Sequence, residues 1–426
     1  MSLDSWLGKL KSAISNVVDS SRPTMVAPEG SLTFPIAGRH EANVSILAFE
    51  IASLMSKLLH LWRSLSDSSL LCLRHETIYL PGVRKIVSDD DDFLLAFACA
   101  DFTDALRSAA ESISTIAPRC SDPTLRFFKS LFQDFADSDH DPYRWSMTLK
   151  EMNAKIKKMD RYVSSTAALY KEMDELAEAE RALRSLCGQN IPARKVAASA
   201  EAQQKIAVSL LARSSFTILS RIKQVFGIGP PQRTPAWSST FLSAAVYPEF
   251  TPRKHRGFFE SSAGILIPPA TTLGAAGLTP LYANLIVLME KMVRSRTMCA
   301  DARDELYTVL PASIRILLRA RLRKVGWNAT RDAGLATEWR AALRMILDWL
   351  VPMALATLRW HAERSFERRN TGSPRANVLL LQTLYYANTE KVEAAIAELL
   401  VGLNYLCRFE MQHRAKPLES SEIRIA

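Results

Sequence analysis

Trp349-Leu-Val-Pro-Met-Ala354, followed by Thr357-Leu-Arg-Trp-His-Ala-Glu-Arg-Ser-Phe-Glu367, is the stretch on which the fold turns. Its large apolar residues recur at the spacing of a helix with a buried stripe, and arginines and tryptophans stand between them. Asn377-Val-Leu-Leu-Leu-Gln-Thr-Leu-Tyr-Tyr-Ala387 and Leu399-Leu-Val-Gly-Leu-Asn-Tyr-Leu-Cys-Arg408 continue in the same character. These residues read as helices that pack. They carry no recognisable catalytic apparatus and describe a helical interaction protein.

The rest of the chain agrees. Of 426 residues, 48% are hydrophobic and 23% charged, the balance of a folded protein long enough for two or three domains. Gly is scarce, at 15 residues, and the good helix formers Ala, Leu, Arg and Glu are plentiful. The expected fold is all-α: multi-helix bundle domains with a long central helical hairpin and irregular linkers.

The net charge of +10 is unevenly placed. Residues 1–250 hold 29 Lys/Arg against 28 Asp/Glu, whereas residues 251–426 hold 25 against 16. A basic C-terminal part suits an acidic protein face, an anionic membrane or nucleic acid, and charge alone does not choose. The six cysteines, Cys72, Cys99, Cys120, Cys187, Cys299 and Cys407, are far apart and form no CxxC or Cys-x-x-His pair. Buried free thiols in a reducing compartment are expected, not disulfides or zinc.

Working outward along the chain, residues 1–20 form an amphipathic helix with Leu3, Trp6, Leu7, Leu10, Ile14, Val17 and Val18 on one stripe. That stripe is a candidate grip for a membrane surface or a partner groove; folding back onto the body is the alternative. No signal peptide is expected, because the apolar positions are periodic and not contiguous. Residues 21–43 read as a Pro/Gly-bearing linker and 44–140 as an N-terminal helical domain. Within it, Asp89-Asp-Asp-Asp92 precedes an apolar helix, as capping carboxylates would. A calcium loop would need a central Gly and a closing Glu that are missing.

Residues 147–226 read as a helical hairpin whose first arm is basic early, at Lys155, Lys157, Lys158 and Arg161, and acidic late, at Glu172, Asp174, Glu175, Glu178 and Glu180. That pattern suits antiparallel pairing with another helix, in this chain or in a second copy. Residues 227–272 are a Pro-rich connector with the basic cluster Arg253-Lys-His-Arg256; 273–412 form a C-terminal helical domain and 413–426 a tail. Ser261–Met289 contains no charge, but Pro268, Pro269 and Pro280 interrupt it, so a loop followed by a buried helix is expected in place of a membrane span. Leu273–Lys291, opening Leu273-Gly-Ala-Ala-Gly-Leu278, puts small residues on one face and large apolar ones on another, allowing close helix approach. A further helix starts at Pro311, and Arg315, Arg319 and Arg323 recur every fourth residue as one cationic stripe. Pairing with carboxylates of a neighbouring helix is the preferred reading of that stripe; phosphate or an acidic helix is the alternative.

Tests for chemistry fail on spacing. The seven histidines form no HExxH, and there is no GxSxG, Walker loop, GxGxxG or kinase signature. No catalytic residue, cofactor or metal is expected. Trp327, Trp339, Trp349 and Trp360 read as core anchors, with base stacking as the alternative.

Two segments carry a resemblance. Val44 to about Phe135, with Ile46-Leu-Ala-Phe-Glu-Ile-Ala52 and His75-Glu-Thr-Ile-Tyr-Leu-Pro-Gly-Val-Arg-Lys-Ile-Val87, resembles the N-terminal domain of the plant PSK-simulator family. Thr272-Leu-Gly-Ala-Ala-Gly-Leu278, Tyr282-Ala-Asn284 and the motifs from Trp349 to Arg408 resemble that family's C-terminal domain of unknown function. The resemblance implies a non-enzymatic plant protein that promotes growth through phytosulfokine signalling, found in the nucleus or on the cytoplasmic face of the plasma membrane. The expected partners are signalling proteins, receptor kinases among them, and an anionic membrane surface; nucleic acid is not expected. Members opening Met-Gly-Gly look myristoylated; this chain opens Met1-Ser-Leu-Asp-Ser-Trp6, so a lipid anchor is not carried over. The alternative function is a peripheral membrane adaptor held by residues 3–18.

Overall fold

A computed structural model describes residues 38–120, 122–186, 200–228, 257–294, 306–324, 332–367 and 378–419. The N-terminal stripe Leu3, Trp6, Leu7, Leu10 and Ile14, the Arg253–Arg256 cluster, Trp327, Cys187 and Cys299 lie outside the described residues. Residues 46–426 group as one compact unit and 1–45 as another.

The described residues are α-helical, with no strand and one isolated antiparallel bridge, Thr272 to Asn388. The helices are α1 (Gly38–Ser64), α2 (Asp67–His75), α3 (Asp91–Ile116), α4 (Phe128–Ser138), α5 (Leu149–Leu186), α6 (Ala200–Phe226), α7 (Phe258–Ile265), α8 (Thr279–Arg294), α9 (Ala312–Lys324), α10 (Ala333–Glu367) and α11 (Thr389–Glu419).

Helix α3 is the axis of the N-terminal part. Asp90 caps it, accepting from the amides of Asp92 (2.9 Å) and Phe93 (3.3 Å), while Asp91 and Asp92 sit in the first turn at the positive end of the dipole. Leu94, Phe97, Leu106 and Ile113 are fully buried, each contributing about 1.5–3 kcal/mol by leaving water. Helices α6 and α7 pack along α3. Behind them Phe128, Phe132, Phe135, Trp145 and Phe216 form a ring cluster, and Phe132 meets Phe259 of α7 at 5.6 Å.

In the C-terminal part α10 packs against α8 and α11, burying Leu343, Leu350, Met353, Ala354 and Thr357. Pro352 lies inside α10; its missing N–H leaves the Asp348 carbonyl without its helical donor, and both residues are on the exposed side, where water can serve instead. By length and composition alone, Ala333–Glu363 could cross a membrane, but 39% of its most apolar window is buried inside the protein. The uncharged Ser261–Met289 stretch is the end of α7, a turn, and the buried face of α8, as expected.

The two stretches read as separate N- and C-terminal domains share one core. Phe97 and Tyr386 rings lie 4.2 Å apart, and Asn388 N–H donates to the Ile86 carbonyl at 2.8 Å. Gly82 permits part of this contact: a Cβ there would lie 2.8 Å from the Trp349 carbonyl oxygen and collide with Met353 Sδ.

Two local readings are corrected. Residues 273–278 form a turn, not a helix, because Gly277 takes φ +68° and Pro280 sets the first turn of α8. Their small residues admit the neighbouring backbone: Gly274 N–H donates to the Tyr385 carbonyl at 2.9 Å. The 378–388 stretch is two short 3₁₀ turns, Leu380–Gln382 and Leu384–Tyr386, not a helix. Thr383 interrupts it, with extended backbone and a hydroxyl bonded to the Leu380 carbonyl at 2.6 Å.

Arms α5 and α6 meet where Met152 and Met159 are fully buried, with Met147 N–H donating to Thr217 Oγ1 (2.9 Å). The start of α5 also rests on α1, through Trp62 to Asn153 (3.0 Å) and Arg63 to Asp160 (2.9 Å). From Asp160 to Leu169 no residue is buried.

Candidate functional site

The cationic stripe predicted on α9 is present and faces outward. Ile314 and Leu318 are buried and fix the helix against α11, which leaves Arg319 and Arg323 exposed and Arg315 half-buried on the other side. The preferred pairing with a neighbouring helix is made by a different arginine: Arg321 forms an ion pair with Glu398 of α11. Arg315 and Arg323 have no ion pair among the described residues. Arg319 Nε donates to the Tyr307 hydroxyl (3.0 Å), and its guanidinium lies 6.0 Å from that ring's centroid. Ile316, 68% exposed, lies beside the stripe.

Helix α9 is tied to α8 and α11 by a part-buried polar contact. Tyr282 on α8 donates to Glu393 Oε1 (2.6 Å), and Ser313 of α9 donates to the same oxygen (2.5 Å). Burial, reinforced by the Glu393 carboxylate, pushes the Tyr282 hydroxyl above its ordinary pKa, so it stays a donor. Sequence reasoning missed this knot, since nothing in the spacing brings residues 282, 313 and 393 together.

Two concavities lie elsewhere. A cleft of about 560 Å³ runs between α1, α2, α3 and the end of α10, lined among others by Lys57, Asp101, Asp104, Trp360, Glu363 and Gln382. Two of its carboxylates have structural work: Asp104 pairs with Arg107 (2.5 Å), and Asp101 Oδ2 accepts from the Leu380 amide (2.8 Å). Cys72 at its edge donates to Glu76 Oε2 (3.2 Å), and the adjacent carboxylate raises the thiol pKa, disfavouring the nucleophilic thiolate. A larger groove of about 1110 Å³ lies between α8, α10 and α11, with Arg294, Arg340 and Arg344 facing Glu290, Asp348 and Glu410.

Among the described residues no group of three or more His, Cys, Asp or Glu is placed to hold a metal ion. Cys99, Cys120 and Cys407 are buried, Cys72 is exposed, and none of the four is in a disulfide. The tryptophans pack: Trp339 meets Tyr405 (6.4 Å), Trp360 meets Tyr385 (5.6 Å) and Lys85 lies over Trp349 (5.1 Å). Geometrically, the arrangement presents a row of guanidinium groups on α9 beside the exposed Ile316.

Comparison with known proteins agrees with the resemblance read from the sequence. Residues 46–102 match a domain of unknown function, DUF3475, and residues 272–359 match a protein family of unknown function, DUF668. Three proteins of Arabidopsis thaliana are similar over most of the chain. Protein PSK SIMULATOR 1 is 29% identical over 85% of this chain and 56% of its own length. Protein PSK SIMULATOR 3 is 26% identical over 94% and 61%, and Protein PSK SIMULATOR 2 is 24% identical over 95% and 66%. This chain therefore spans about three-fifths of the length of the curated relatives it matches. It is a homologue of the PSK simulators, with both of the expected domains in the expected order. No solved structure matches it.

Proposed function

We propose that the protein promotes growth in a plant by acting in phytosulfokine signalling, without enzymatic activity, through contacts with other proteins. The observation that carries this reading is the similarity to three PSK simulators over 85% to 95% of the chain. The names of these homologues support the phytosulfokine link. The outward guanidinium row on α9 and the structural use of two cleft carboxylates support binding over catalysis. Signalling proteins, receptor kinases among them, are the proposed partners, and the nucleus and the cytoplasmic face of the plasma membrane the proposed locations.

The test is genetic. Arabidopsis lacking its PSK simulators, supplied with this chain, regains the growth response to phytosulfokine. Accumulation of the protein without that recovery overturns the reading. A fluorescent fusion carrying Trp6→Glu/Leu10→Glu separates the adaptor alternative: loss of plasma-membrane signal in the variant alone makes the N-terminal stripe an anchor.

A further inference from the structure

We propose that the outer face of α9 docks the acidic half of α5 from a second copy of this chain. Helix α9 carries Arg315, Arg319, Arg321, Arg323 and Lys324 and no carboxylate. Of these, Arg321 is turned inward to Glu398. The remaining arginines recur one turn apart, about 6 Å along the helix axis, beside the exposed Ile316. Guanidinium groups in a single row are suited to bidentate carboxylates presented by another helix. A flat lipid surface would be better met by a broad patch with several apolar side chains.

The complementary row is on α5. After Met159 no described side chain of that helix is buried, and the charge along its sequence changes sign, from Lys155, Lys157, Lys158 and Arg161 to Glu172, Asp174, Glu175, Glu178 and Glu180. Glu172 and Glu175 are exposed; Lys171, itself exposed, is the ion-pair partner of Glu175 at 3.7 Å. At about 100° per residue, both glutamates fall on the side of α5 away from Met159, which is buried against Ser214 of α6, and away from the half-buried Val163 and Thr166. Among the described residues, the intramolecular hairpin therefore leaves Glu172 and Glu175 available.

A two-fold arrangement lets each copy give one α5 and one α9, so the contact occurs twice and the assembly closes. Exposed ion pairs are individually small and screened by salt, so the dimer is weak and dissociates as ionic strength rises. This inference concerns association of the chain with itself and does not rest on the signalling reading.

Sedimentation of the full chain tests it. Wild type shows a monomer–dimer equilibrium at about 50 mM salt, and its dissociation constant rises about tenfold or more by about 500 mM. Arg319→Glu/Arg323→Glu weakens association to a similar degree, as does Glu172→Arg/Glu175→Arg, with circular dichroism and unfolding temperature unchanged. The variant carrying all four substitutions regains association. A wild type that is monomeric at low salt overturns the proposal, as does a dimer indifferent to either reversal or a fourfold variant no better than its parents. Flotation of a monomeric wild type on phosphatidylserine vesicles, lost with Arg319→Glu/Arg323→Glu, assigns the face to lipid and equally overturns it.

Discussion

Asp101 Oδ2 accepts a 2.8 Å hydrogen bond from the backbone N–H of Leu380, 279 residues along the chain. Asp101 is the penultimate residue of the first matched domain and Leu380 lies beyond the second. The 3₁₀ stretch 378–388 bonds to four other parts of the molecule. Leu384 N–H meets Thr357 Oγ1 (2.9 Å), the Tyr386 hydroxyl meets the Ile265 carbonyl (2.5 Å), the Ala387 carbonyl meets Leu273 N–H (3.0 Å), and Asn388 N–H meets Ile86. A strap of irregular backbone thus ties both halves into one core, and its amides find acceptors that no helix of their own provides.

Asp101→Leu leaves the Leu380 amide without this acceptor and lowers stability by about 1–3 kcal/mol. Asp101→Asn keeps an acceptor oxygen and costs less. Urea unfolding of the two variants checks the order, and equal losses would contradict it.

Gly82→Ala forces Met353 and the Trp349 backbone apart, at a cost of about 1–3 kcal/mol. Gly264→Ala is the control: it lies in α7, a Cβ there meets nothing within 4 Å, and stability rises by about 0.5–1 kcal/mol. Thermal unfolding should shift in opposite directions for the two.

Lys223 closes the end of α4. Its ammonium donates to the carbonyls of Phe135 (3.0 Å) and Ala136 (2.7 Å) and to Asp139 Oδ1 (2.6 Å), while Asp139 takes the left-handed conformation past the helix end, φ +57°. Lys223→Met strands those acceptors and destabilises by about 1–3 kcal/mol. Lys223→Arg retains the charge but its planar fork fits the three acceptors poorly, so denaturant midpoints should rank wild type, then Arg, then Met.

The Tyr79 hydroxyl, donating to Asp91 Oδ2 at 2.6 Å, and then Arg84 hold the Asp91 carboxyl below its ordinary pKa. A depressed folded-state pKa stabilises the fold above the unfolded value of about 3.9 and loses that contribution as pH falls through the folded value. Tyr79→Phe removes the largest cause. The stability gap between wild type and Tyr79→Phe therefore narrows on acidification from about pH 6 to below the folded pKa, and urea midpoints across that range measure it.

The legible parts of the fold were those with a period. Leu47, Ile51, Leu54, Leu58 and Leu61 announce α1, and the aspartates before Phe93 announce the cap of α3. The arginine stripe was legible as a row on α9, but its partners were not. Which arginine turns inward depends on how Ile314 and Leu318 seat the helix on α11, and Glu398 then meets Arg321. The strap was misread because Leu379, Leu380, Leu381 and Leu384 are as apolar as a buried helix, and a short apolar run does not distinguish the two.

By itself the sequence determined an all-α chain, its resemblance to the PSK simulators, and where most helices lie, because helical period and capping are local properties of neighbouring residues. Tertiary structure alone decided that the halves share a core, that residues 378–388 run as a strap, and that the α9 arginines face outward. These depend on contacts between residues far apart in the chain, such as Asp101 with Leu380, Tyr282 with Glu393, and Glu398 with Arg321, the one α9 arginine that turns inward. Their energies come from burial and from backbone groups that must find partners once water is gone, and no local spacing encodes those.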